Sequence, residues 1–108
     1  MPKPKGTTGS TKMKILSVIC FNQECGNESY GYNIWLDLKQ SFFMYMNDND
    51  IRNVYHHLND LCRLGYLQRD KTQEESGKCL YHLTNTGLNV RPRFDMYLEA
   101  FKQRKSEV

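Results

Sequence analysis

Apolar side chains along the chain fall into clusters whose spacing changes from one to the next. In the first, Met13, Ile15, Leu16, Val18, Ile19, Cys20 and Phe21 project in nearly every direction from a helix running to about Asn22, with Thr8, Ser10 or Thr11 as its cap. A helix apolar all round is a buried one, so this element is central or lies at a subunit interface. The polar run Asn22–Glu28, broken by Gly26, is a turn. A second helix extends from about Ser29 or Tyr30 to Phe43. Ile34, Leu38 and Phe42 form its core stripe, with Trp35 beside them.

Asn47-Asp48-Asn49-Asp50 offers short side-chain acceptors to the free amides of a new helix. That third helix runs from about Asp50 to Leu64 and stops at Gly65. At about 100° per residue, Ile51, Val54, Tyr55, Leu58, Leu61 and Cys62 share one arc of roughly 120°. The opposite side carries Asn49, Arg52, Asn53, His56, Asp60 and Arg63. Next, Tyr66–Arg69 and Cys79–Leu83 read as two short strands, and the polar stretch Asp70–Lys78, with Gly77, as a hairpin tip. Thr84, Asn85 or Thr86 ends the second strand. A last helix then runs from about Pro92 to Lys105, with Phe94, Tyr97, Leu98 and Phe101 on one side.

Three helices followed by a two-stranded hairpin make a winged helix-turn-helix, a mainly α (α+β) fold in which the hairpin is the wing. A DNA major groove about 12 Å wide admits one helix with a buried face and a face of hydrogen-bonding groups. The third helix meets that requirement. Arg52 suits a guanine edge, Asn53 an adenine edge, and His56 a base or a phosphate. With Asn49 they occupy the N-terminal part, where base-reading side chains concentrate. Arg69, Lys71 and Lys78 are placed to grip phosphates from the wing. Set beside this is a plainer alternative, in which the polar face is an ordinary solvated surface. Many winged helices bind proteins, and Asp48, Asp50 and Asp60 favour a protein–protein interaction module within a larger nucleic-acid-processing complex.

Charge sharpens the picture. The formal net charge is +3 over 108 residues. Residues 1–14 carry Lys3, Lys5, Lys12 and Lys14 and no acid, residues 15–90 sum to −3, and residues 91–108 to +2. Pro2, Pro4, Gly6 and Gly9 oppose regular structure, so residues 1–11 read as a flexible basic arm. Residues 12–90 then form the DNA-binding domain and residues 91–108 a C-terminal dimerisation helix. Lys12 and Lys14 join the DNA-binding set, because clustered lysines attract the phosphate backbone. The apolar stripe of the last helix needs a cover, either its own first helix or a second copy. The two-fold match of helix-turn-helix dimers favours a homodimer through Phe94, Tyr97, Leu98 and Phe101.

Composition excludes other classes. With 39% hydrophobic and 25% charged residues the chain suits one soluble domain. No apolar run approaches the roughly 18 residues of a membrane span, and no secretory signal is recognisable, so a cytoplasmic place is expected. No Gly-rich phosphate loop, no nucleophile with an evident base and no paired carboxylates are found, so neither an enzyme nor a cofactor is expected. Cys20, Cys25, Cys62 and Cys79 lack the C-x2-C spacing of a zinc site, and His56, His57 and His82 do not complete one. Cys20 and Cys62 read as small buried hydrophobes. Cys25 and Cys79 have no evident packing duty, which leaves a redox or metal role open for them.

Three segments together resemble the PadR family of transcriptional regulators. Tyr30-Gly31-Tyr32-Asn33-Ile34 is similar to the Gly-Tyr-x-Ile signature that opens the family's second helix. Val54–Leu67 resembles its recognition helix, in which a Tyr precedes paired leucines and a Gly ends the helix. Tyr81-His82-Leu83-Thr84-Asn85-Thr86-Gly87 looks like its Tyr-x-Leu-Thr-x-x-Gly close of the second strand. The resemblance implies a homodimer that reads a two-fold operator in double-stranded DNA as a repressor. In some relatives an aromatic small-molecule effector releases it.

Overall fold

The computed structural model describes residues 5–42, 50–71 and 79–106. Its elements run α1 (Lys5–Glu24), α2 (Gly31–Ser41), α3 (Ile51–Arg63), β1 (Leu67–Lys71), β2 (Cys79–Leu83), α4 (Asn85–Asn89) and α5 (Arg91–Ser106). This is a winged helix-turn-helix, with α2 and α3 as the helix-turn-helix pair and β1 and β2 as the wing.

α1 is the central element. Ile15, Leu16, Val18 and Ile19 are fully buried, and Met13 and Cys20 nearly so. It touches α5, α2, β2 and α3 on its several sides, which is why its apolar residues point all round. Its start differs from expectation. The helix begins at Lys5, so residues 5–11 are helical and do not belong to a flexible arm. Each glycine in that stretch costs roughly 1 kcal/mol against alanine. The packing of the turns that follow outweighs Gly6 and Gly9, and both N-terminal prolines, Pro2 and Pro4, precede the helix.

Glycines end α1 and α3 in the same way. Gly26 has φ 77° and Gly65 φ 86°, a left-handed conformation in which a side chain is strained. Each turn closes with a long-reach backbone bond, Asn27 N–H to Asn22 at 2.8 Å and Tyr66 N–H to Leu61 at 3.0 Å. Asp50 precedes α3 but makes no side-chain capping hydrogen bond.

In the wing, β1 and β2 pair antiparallel with Leu67 opposite Leu83 and Arg69 opposite Tyr81. Residues 29 and 30 lie along the other edge of β2, with Tyr30 bridged to Leu80 and Tyr81 N–H donating to the Ser29 carbonyl at 3.0 Å. The short α4 has no counterpart in the sequence reading. Thr84 creates it: its Oγ1 accepts from Gly87 N–H at 3.1 Å and its hydroxyl donates to the Gly65 carbonyl. A Cβ at Gly87 would run into the Tyr66 carbonyl, so the Thr-x-x-Gly spacing is a steric necessity here.

The C-terminal helix requires a correction. Phe94, Leu98 and Phe101 are fully buried within the single chain, and α5 lies along α1. Phe101 meets Phe21 edge-on at 5.0 Å between ring centroids and stacks on Phe42 at 6.0 Å. Tyr97, half-buried, meets Phe42 edge-on. The stripe assigned to a second subunit is covered by the chain's own first helix, the other cover weighed above. A helix apolar all round has a side to spare for it.

Candidate nucleic-acid interface

α3 is held by Val54, Leu58 and Leu61, all fully buried, and its far side is open. Arg52, Asn53 and His56 are exposed there, and among the described residues none of the three is tied by a hydrogen bond or ion pair. Asn59 and Arg63, one and two turns beyond His56, are exposed too and continue the same strip of donors and acceptors. Sequence reasoning passed over Asn59, although its position two turns beyond Arg52 and one beyond His56 was the available signal. Asn49, one residue outside the described segment, and Lys78 lie outside the described residues, as does the side chain of Lys71.

Asp60, one of the three acids that favour a protein-binding surface, is ion-paired within the chain. Asp60 Oδ1 accepts from Arg63 at 2.7 Å, and its Oδ2 stands 3.6 Å from Lys12 Nζ. At the base of the wing, exposed Arg69 donates to Asn59 Oδ1 at 3.0 Å, and its positive charge acts on the Tyr81 hydroxyl. It therefore braces the wing against α3 while keeping a guanidinium edge toward solvent. His82 and Asp70 pair across the wing at 3.2 Å.

Two lysines are turned toward neighbouring side chains. Lys12 turns inward to His57 and Asp60, its Nζ 3.1 Å from His57 Nδ1. Lys14 lies over the rings of Phe42 and Tyr97, 5.8 and 5.5 Å from their centroids. Both belong to a well-formed helix that packs against α3 and α5, so their heads cover neighbouring side chains instead of reaching out.

Tyr55 also departs from its expected place in the core arc, being 41% exposed. It stands at the edge of that arc, and its ring lies against Gly31, where any Cβ would overlap it. This explains the glycine at the start of α2. Tyr32, one residue on, is exposed and packs on Trp35, with Lys39 on the Trp35 ring 5.0 Å from its centroid.

Burial pushes the thiols of Cys20 and Cys62 and the Tyr81 hydroxyl upward from their ordinary values. Cys79, which had no packing duty in the sequence, packs with Cys62 against the core, and Cys25 is exposed. Among the described residues no three His, Cys, Asp or Glu side chains converge as metal ligands, and no helix is long and apolar enough to cross a membrane.

No family model matches the chain, and no curated protein matches it in sequence. Among solved structures, a transcriptional regulator from Clostridium thermocellum, Cth-833, aligns over 99% of this chain and 97% of that one, with a TM-score of 0.63 and 19% identity. At that identity the likeness is one of fold: helices around a two-stranded antiparallel wing.

Proposed function

We propose that the chain is a PadR-like transcriptional repressor that reads double-stranded DNA in a sequence-specific way and acts as a homodimer. One observation carries this reading: Arg52, Asn53 and His56 stand exposed and uncommitted on the first turns of a helix whose other face is locked into the core. Asn59 and Arg63 extend the reading strip, and Arg69 backs it from the wing. Two copies supply the two-fold match of such sites. With Phe94, Leu98 and Phe101 used inside the chain, we assign the dimer contact to the outer side of α5, where Met96 is 70% exposed. Methionine is enriched at protein interfaces. Release by an aromatic small molecule would take place at that subunit contact, and the working compartment would be the cytoplasm.

The test is selection of genomic fragments on the purified protein, followed by competition between a recovered duplex and a scrambled one at several salt concentrations. Several Lys and Arg contacts make affinity fall roughly 10³-fold or more between about 50 and 200 mM salt. A flat salt profile, or no recovered fragment, would favour the second reading, a protein-binding winged helix. The exposed Tyr32, Tyr55 and Leu64 speak for that alternative.

A further inference from the structure

Lys12 is an ammonium withdrawn from solvent. Its side chain is only 16% exposed, and its Nζ lies 3.1 Å from His57 Nδ1 and 3.6 Å from Asp60 Oδ2. An ammonium has donors and no lone pair, so Nδ1 must accept and the His57 ring must be neutral. His57 and Asp60 are one turn apart on α3 and meet Lys12 from the same side. The cluster clamps α1 to the middle of the helix that carries Arg52, Asn53 and His56, without facing the groove itself.

We propose that Lys12 is a positioning residue for DNA reading, which fixes α3 against α1 through neutral His57 and Asp60 and lets go when His57 takes up a proton. The inference rests on the DNA reading of α3. Protonation places an N–H on Nδ1 where the lysine N–H now points, and sets two positive charges about 3.1 Å apart. Among the described side chains, the charged or titratable groups acting on the ring are Lys12 from α1 and Asp60 and His56 from α3 itself. Among these described groups Lys12 and His56, together with burial, disfavour the proton, and Asp60 favours it. Once charged, His57 no longer accepts from Lys12 and competes with it for Asp60, so the contact between the two helices weakens.

A lysine that grips phosphate and one that positions a helix differ in what their removal does. Loss of a phosphate contact weakens all duplexes alike and makes the salt slope shallower by about 1. Loss of the clamp leaves the slope and reduces selectivity. The experiment uses the full chain with Lys12→Met and His57→Gln variants. In imidazole NMR of the free protein, His57 titrates below the ordinary 6.5, and Lys12→Met moves its midpoint upward. Hydrogen exchange of α3 amides, corrected for intrinsic rates, quickens about tenfold in Lys12→Met, the worth of one hydrogen bond to a charged group. Wild type shows the same change between about pH 7.5 and a pH below the His57 midpoint found in that titration. His57→Gln keeps an acceptor that cannot titrate, and stays protected at both values. On DNA, Lys12→Met loses about tenfold in preference for the selected duplex over the scrambled one, at an unchanged salt slope. An unmoved His57 midpoint, or uniform weakening with a shallower slope, overturns the proposal. A wild-type protein that binds no duplex brings down the DNA reading and this one together, whereas normal binding with an unmoved midpoint brings down the clamp alone.

Discussion

Gly31 sets the approach of two helices by lacking a side chain. The Tyr55 ring occupies the place of its missing Cβ, so α2 and α3 come closer there than any other residue allows. Alanine at this site should cost about 1–3 kcal/mol through overpacking. In a Tyr55→Ala background the same change should turn stabilising by up to about 1 kcal/mol, because only helix propensity is left. Urea unfolding of the four variants of this cycle checks it, and simple additivity would show that the ring is not seated on Gly31. On the reading strip, Arg52→Ala should weaken binding to the selected duplex by about 1–3 kcal/mol and relax preference at one base position. Arg63→Ala should matter less, since Asp60 already holds that guanidinium. Fluorescence titration against duplexes varied one base at a time separates the two. Equal losses on every duplex would mean that Arg52 touches phosphate alone.

Between elements, the α1–α5 contact decides whether the chain folds alone. Phe101 is fully buried between Phe21 and Phe42, so Phe101→Ala should cost roughly 3–5 kcal/mol. Sedimentation with circular dichroism should then show partial unfolding, not a clean change from dimer to monomer. A folded, stable monomer would restore the stripe to a subunit interface. The order of helices and strands was legible because period and punctuation agree: Val54, Leu58 and Leu61 repeat at helical spacing, and Gly65 stops them. The outward direction of Arg52, Asn53 and His56 followed from the same arc. The partner of an amphipathic stripe is not encoded in its spacing, and both covers for Phe94, Leu98 and Phe101 satisfied it equally. The inward turn of Lys12 was not legible because a helix apolar all round gives no register from which to tell where its polar residues point. α4 was invisible since Thr84 builds it from the Gly65 carbonyl and the backbone of Tyr66, residues about twenty positions earlier.

The whole molecule holds a base and several weak acids in their neutral forms, and its stability should record both. His57 is lowered from the ordinary 6.5, chiefly by burial and then by Lys12. The unfolded chain therefore binds a proton that the folded one refuses, and stability is present above about 6.5 and declines as pH falls through the folded value. Cys20 and Cys62 are raised from 9.0 and Tyr81 from 10.0, in each case mainly by burial. For these groups the sign reverses: the unfolded chain loses its protons first, so stability is full below their ordinary values and drains away as pH rises beyond them. Thermal midpoints taken across pH should thus form a plateau between about 6.5 and about 9, falling on both sides. His57→Gln should flatten the first part of the acid fall, ahead of the carboxylates, and leave the alkaline limb untouched. A midpoint that holds level from pH 6.5 down to about 5 in the unaltered protein would mean that His57 is not kept neutral in solution, and the contact with Lys12 would lose its basis.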